Sequence, residues 1–252
     1  MSARARDISA SGDGMDDAIA RRLDAVAKCG DTALDEAAAK TLLVKLGIAV
    51  PRGIRLDTGE SPVGRLDGLR PPFALKALSG AALHKSDIGA VRLGLQDAAE
   101  VAVATAEIAE RVAETGTPLN GYLVEEIAAP GVEIVIGGTT DAQLGPMLML
   151  GAGGVFAEIL QDVSFRLCPI GRADAAQMLD ELKIAPILRG ARGRPAVDLQ
   201  AIADALLALG GPEGFFTRYR TRVAEFDLNP LIARPDGLVA VDARIVLTEG
   251  QP

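Results

Sequence analysis

Near the C-terminus of the chain two alternating stretches flank a tight turn. Val223, Glu225, Asp227 and Asn229 alternate with Ala224, Phe226 and Leu228. Residues i and i+2 of a strand share a face, so one face is apolar and the other carries oxygen ligands. Arg234-Pro235-Asp236-Gly237 supplies turn chemistry, and Leu238-Val239-Ala240-Val241-Asp242 returns. The pattern is that of a β-hairpin. A symmetric two-residue loop sets Asn229 directly across from Asp242, whereas a glycine bulge at Gly237 offsets the pairing by one residue. Two hard oxygen ligands from separate strands suit Mg²⁺, which takes one or two side chains together with substrate phosphates. The same pattern also fits an ordinary half-buried hairpin with a polar outer face.

The rest of the chain narrows the setting. Its 252 residues hold one large domain or two small ones. No apolar run is long enough to cross a bilayer; the longest, around Met147–Ala157, is interrupted by glycines. The first residues mix arginines with acids and lack the apolar core of a secretory signal. Cys29 and Cys168 are far apart and read as free thiols in a cytoplasmic protein. One histidine and no cysteine cluster argue against structural zinc. A net charge of −8 with scarce aromatics argues against a nucleic-acid partner.

Periodicity divides the chain into two α+β lobes. Residues 1–27 read as a mobile, weakly helical start. A helix is expected from Asp31 or Thr32 to Leu46, with Leu42, Leu43 and Leu46 inward and Gly47 ending it. Strands are expected at Phe73–Ala77, Gly89–Leu95 and Gly121–Glu126, with an Asp97-capped helix to Glu114 between the last two. This completes a small lobe over 28–126. A second lobe over 127–247 starts with strands Val132–Ile136, Met147–Leu150 and Val155–Leu160, and a fourth at Phe165–Cys168. Helices at Ala173–Leu188 and around Leu199–Leu209 follow, and the hairpin closes the lobe. Residues 248–252 form a tail.

Within this frame several polar residues stand out. Lys76 interrupts the apolar strand Phe73-Ala74-Leu75-Lys76-Ala77, and a buried lysine needs an anion such as a nucleotide phosphate. An edge-strand lysine reaching water is the alternative. Ser79–Gly89 is a polar loop with the single histidine, His84, followed by Lys85. It is not a P-loop, because Ser79 and His84 stand where glycines are required. Glu125 and Glu133 flank the turn Ala128-Ala129-Pro130-Gly131, where they accept hydrogen bonds from a ribose or an adenine, help hold a metal, or serve only as strand-end acids. Gly151-Ala152-Gly153-Gly154 offers backbone amides for phosphate. Glu158, Asp162 and Arg166 follow it at four-residue spacing.

Taken in order, these pieces resemble a family. Leu34-Asp35-Glu36-Ala37, Gly47-Ile48-Ala49-Val50-Pro51, Ala74-Leu75-Lys76, His84-Lys85-Ser86-Asp87-Ile88-Gly89, Gly131-Val132-Glu133, Gly153-Gly154-Val155-Phe156-Ala157-Glu158, Phe165-Arg166-Leu167 and Glu225-Phe226-Asp227-Leu228-Asn229-Pro230-Leu231 are similar to the ATP-grasp part of the NDP-forming acyl-CoA synthetases. The acetate–CoA ligase (ADP-forming) group is the nearest type, and the β subunit of succinyl-CoA synthetase is a more distant one. The resemblance covers roughly residues 30–247.

The resemblance implies an ATP-grasp fold with ATP or ADP between the lobes. It implies Lys76 on the phosphates, with His84 and Lys85 in a small loop beside them. Glu125 then lies at the adenine-side hinge and Glu133 near ribose and metal. Asn229 and Asp242 become Mg²⁺ ligands, and Asp227 faces the phosphoryl-transfer centre, with Glu158 and Arg166 in the catalytic set. Ala90 departs from the family's usual glycine and is expected to stiffen the loop. The sequence shows no CoA-binding or phosphohistidine segment beside this region. One half of an enzyme is therefore expected, working with a separate CoA-binding α-type subunit in a hetero-oligomer. A stand-alone carboxylate ligase and a non-catalytic nucleotide-binding subunit are the competing readings.

Overall fold

The computed structural model describes residues 12–80, 89–141, 143–154, 161–191, 193 and 195–248. Helix α1 (Gly12–Lys28), the short strand β1 (Ala33–Leu34) and helix α2 (Glu36–Lys45) come first. Then follow β2 (Gly53–Leu56), β3 (Phe73–Leu78), β4 (Val91–Leu95), α3 (Ala98–Glu114) and β5 (Gly121–Glu126). The remainder comprises β6 (Val132–Asp141), β7 (Gly145–Ala152), β8 (Val163–Leu167), α4 (Arg172–Glu181), α5 (Ala185–Leu188), α6 (Leu199–Gly210), α7 (Phe215–Arg218), β9 (Val223–Arg234), β10 (Gly237–Ala240) and β11 (Arg244–Leu247).

Two antiparallel sheets organise these elements. The small sheet runs β2-β5-β3-β4, and the large one runs β1-β11-β9-β6-β7-β8 with β10 paired to β9. Helix α3 covers the small sheet. Asp97 caps it by accepting from the Ala99 and Glu100 amides, and Val101, Ala104, Ile108 and Val112 enter the small core. Ala90 is also buried in that core, so the methyl that departs from the family pattern is accommodated. In the large core, Ile134, Ile136, Leu148, Leu150, Phe226 and Leu228 pack with residues of α4, α6 and α7.

Several boundaries differ from the sequence reading. Helix α2 starts at Glu36, not at Asp31 or Thr32. Ala33 and Leu34 are drawn into pairing with Val246 and Ile245, and Asp35 caps the helix through the Ala38 amide at 2.8 Å. Residues from 12 onward in the expected mobile start form α1, whose Ile19 and Leu23 are buried. Both α1 and α2 pack into the large-lobe core, so the lobes do not follow the chain division at residue 126. The helix expected over Ala173–Leu188 breaks after Glu181. The buried Asp162 carboxylate accepts from the Lys183 and Ile184 amides there, which starts α5 afresh. The strand expected at Val155–Leu160 lies outside the described residues.

Candidate functional site

The large sheet has two unlike faces. Its helix-covered face holds Phe226, which meets Phe216 of α7 edge-on at 5.1 Å between ring centroids. Gly138 makes room for that ring, since a Cβ there would come within 2.3 Å of Phe226. The opposite face is open enough that Val163, Phe165 and Leu167 of β8 are 44–50% exposed. A cavity of about 400 Å³ opens on it, lined by Gly137, Thr139, Met149, Phe165, Asp227 and Asn229 among others. Strand alternation delivers these side chains to one face, as the β9 pattern requires.

The hairpin register settles the position of the two expected metal ligands. Pro235 and Asp236 form a two-residue loop, because Gly237 pairs with Arg234 and Ala240 with Leu231. The same register resumes where Arg244 pairs with Asp227 and Val246 with Glu225. Asp242 lies between these stretches and falls opposite Asn229. The bulged alternative is therefore absent. Val241 reinforces the register by donating its amide to the Pro230 carbonyl at 3.0 Å. Asn229 is exposed and Asp242 half-buried, with one Asp242 oxygen accepting from the Ala243 amide. No group of three or more His, Cys, Asp or Glu among the described residues could cage a metal. One carboxylate and one amide oxygen fit a hard cation that completes its shell with phosphate and water.

Between the lobes lies a second polar cluster, and it is buried. Lys76 sits on β3, an interior strand of the small sheet, so the edge-strand alternative does not hold. Its ammonium donates to Glu36 Oε1 at 2.6 Å and to the Val241 carbonyl at 2.6 Å, and lies 3.2 Å from Glu125 Oε2. Lys40 of α2 donates to both Glu125 oxygens and to the Val241 carbonyl, each at 2.6 Å, and pairs with Glu36 at 2.8 Å. All four residues are at most 5% exposed. Gly53 pairs with Glu125 across the sheet, and a Cβ there would come within 2.7 Å of Glu125 Cγ. Only a glycine lets the glutamate lie as it does.

Charges in this cluster shape one another. Burial pulls the Lys40 ammonium below its ordinary range; Glu36 and Glu125 oppose that and Lys76 adds to it. Burial also disfavours charge on Lys76, but Glu36, Glu125 and Asp242 outweigh it and hold its ammonium above the usual lysine range. The two lysines are thus driven apart although both are buried.

The other expected residues distribute as follows. Glu133, the second residue of β6, is on the cleft face and lies against the glycine-rich turn, where Gly153 donates its amide to the Glu133 carbonyl at 2.9 Å. Arg166 is a correction. It pairs across the strands with Leu148, on the helix-covered face, and forks onto Glu181 of α4 at 2.5 and 3.0 Å. Adjacent strand pairs share a face, so Arg166 points away from Asp227 and leaves the catalytic set. His84, Lys85 and Glu158 lie outside the described residues.

Two residues escaped the sequence reading: Glu36 and Lys40. Glu36 stands only inside the resembling stretch Leu34-Asp35-Glu36-Ala37, and a glutamate and a lysine at i,i+4 suit a solvated helix face as well as a buried one. The available signal was that they continue the stripe ending at Leu43, at i, i+4 and i+7.

Residues 25–247 match the ATP-grasp domain family. The β subunit of acetate–CoA ligase (ADP-forming) II from Pyrococcus furiosus is 38% identical over 222 residues, 86% of this chain and 93% of that protein. The chain belongs to this ATP-grasp β-subunit family. Among solved structures, the dinucleotide-forming acetyl-coenzyme A synthetase 1 of Candidatus Korarchaeum cryptofilum, complexed with coenzyme A and Ca-AMPCP, matches this family member with 39% identity and a TM-score of 0.82. The match covers 90% of this chain and 99% of that one. Another structure of that enzyme holds coenzyme A and Mg-AMPPCP, with a phosphohistidine segment pointing towards the nucleotide-binding site. It matches at 39% identity and a TM-score of 0.74, over 90% of this chain and 98% of that one.

Proposed function

We propose that the chain is the nucleotide-handling subunit of an ADP-forming acyl-CoA synthetase, catalysing acid + CoA + ATP = acyl-CoA + ADP + phosphate with a partner. It moves phosphoryl between nucleotide and a histidine on a separate CoA-binding α-type chain. The observation that carries this reading is the cleft face of β9, where Asp227 and Asn229 line one cavity and Asp242 stands in register with Asn229. The β-subunit relative and the phosphohistidine segment of the solved neighbour support the partner.

Phosphoryl transfer asks a protein for positioning and charge neutralisation more than for covalent chemistry. Asp242 and Asn229 would hold Mg²⁺, which supplies neutralisation of the phosphate oxygens when bound. Lys76 reaches towards the phosphates from the interlobe cluster, and Glu125 marks the adenine-side hinge. Glu133 serves the ribose side, and Asp227 faces the path of the phosphoryl group. His84, Lys85 and Glu158 belong to the phosphate side of this reading. A cytoplasmic setting goes with it, since the cysteines among the described residues are free. No helix among those residues is long and apolar enough to cross a membrane.

Reconstitution tests the reading. The chain mixed with its cognate α-type subunit, acid, CoA and MgATP should yield thioester, ADP and phosphate, and should yield none without the partner. Robust thioester synthesis by this chain alone would favour an independent carboxylate ligase.

A further inference from the structure

The interlobe cluster contains a choice that the nucleotide reading leaves open. A lysine ammonium has three protons; Lys76 donates to Glu36 Oε1 and to the Val241 carbonyl and lies in ion-pair contact with Glu125 Oε2. A phosphate reaching Lys76 competes with the loosest of these contacts. The contacts are unequal. Those to Glu36 and Val241 are 2.6 Å, while that to Glu125 is 3.2 Å. Glu125 is also the acceptor that least needs Lys76, because Lys40 already binds both of its oxygens at 2.6 Å. Giving up Glu36 would instead strip a fully buried carboxylate of one of its shortest contacts, at 2.6 Å.

We propose that Lys40 is a positioning residue of the nucleotide site: it holds Glu125 so that Lys76 can exchange that acceptor for a nucleotide phosphate. Lys40 touches neither nucleotide nor metal in this scheme. It acts by keeping Glu125 neutralised after Lys76 turns away, which removes the cost of leaving a buried carboxylate alone. Glu36 remains the fixed anchor of Lys76. Lys40 and Glu36 lie on α2, which packs in the large-lobe core, whereas Lys76 and Glu125 lie on the small sheet. The exchange therefore occurs where the lobes meet, and the Val241 carbonyl shared by both ammoniums ties it to the Asp242 hairpin.

The inference rests on Lys76 serving the phosphates, and a double-mutant cycle separates the two ideas. Binding of Mg-AMPPCP to the full chain is measured by calorimetry. Lys40→Met leaves Glu125 with Lys76 as its remaining cation in the cluster and should weaken binding by at least about tenfold. In a Glu125→Gln background the same Lys40→Met change should cost less than about twofold, because there is no carboxylate left to capture Lys76. Lys40→Arg, which still grips the carboxylate, should stay within about threefold of the wild type. An equal loss in both backgrounds, or no loss in the wild-type background, overturns the exchange. If Lys40→Met alone does not fold, Glu125→Gln and the double variant still provide the test, and a difference above about fivefold between them overturns it. Lys76→Met distinguishes the underlying reading. Full affinity there removes Lys76 from the phosphates altogether, while lost affinity there with an unaffected Lys40→Met overturns only the exchange.

Discussion

On the cleft face of β9, Asp227 and Asn229 turn their polar groups towards a cavity. In the interlobe cluster, Glu36 and Glu125 give theirs to Lys40 and Lys76. Both regions use the same residue types, but the first opens on a cavity and the second is closed off from solvent. The difference is one of burial. A carboxylate at an open face keeps access to water, whereas a carboxylate on a residue below 3% exposure requires a built-in countercharge. The second region is therefore bound up with stability as well as with function, and the first mainly with function.

The largest effect should come from breaking the buried side of this contrast. Lys76→Met leaves two carboxylates sharing one ammonium, and removing one partner of a buried ion pair costs about 3–5 kcal/mol. Urea unfolding followed by circular dichroism should show a loss of that order. Asp227→Asn, on the open face, should remain within about 0.5 kcal/mol of the wild type. Similar losses in both variants would erase the contrast.

Next in size is the kinetic counterpart. In the reconstituted enzyme, Asp227→Asn should lower kcat by about 100-fold with little change in ATP affinity, as expected of a group that acts during transfer. Arg166→Met should alter kcat by less than about threefold, since Arg166 lies on the other face. A large kcat loss in Arg166→Met would return that residue to the catalytic set.

The smallest effect sharpens the Arg166 assignment. The Arg166 fork, then the Ser164 hydroxyl, hold the Glu181 carboxyl well below its usual range, at about 2. A carboxyl lowered in the folded state stabilises it above the unfolded value. That contribution is lost as pH falls from about 4.5 to about 2. Glu181 is a surface group, so the change is slight. NMR titration of its carboxyl carbon should show the low midpoint in the wild type and an upward shift in Arg166→Met. An unshifted midpoint in the variant would contradict the pairing.

Local features of the sequence carried the cleft face. Alternation through Glu225, Asp227 and Asn229, with turn chemistry at Pro235-Asp236-Gly237, brings Asn229 and Asp242 to within one residue of pairing, and the observed strand register removes the bulged alternative. The Asp97 cap likewise fixed the start of α3. Features made by distant contacts were not legible. Ala33 and Leu34 look like the start of a helix until β11 pairs with them. The break after Glu181 comes from Asp162, on a separate strand connection. The cluster joins Lys40 to Glu125 and to Val241, 85 and 201 residues away, and no local period reports such partners. For Arg166, alternation specified two faces of β8 without telling which one the helices cover.

Calorimetry of the isolated chain with MgATP tests the central claim most directly. The account predicts binding that weakens sharply when EDTA removes the metal and that weakens comparably in Asp242→Ala, with no further loss when EDTA is added to that variant. Equal affinity with and without metal, or an Asp242→Ala variant that keeps full metal-dependent binding, would contradict the assignment of the Asn229–Asp242 hairpin as the metal-nucleotide site.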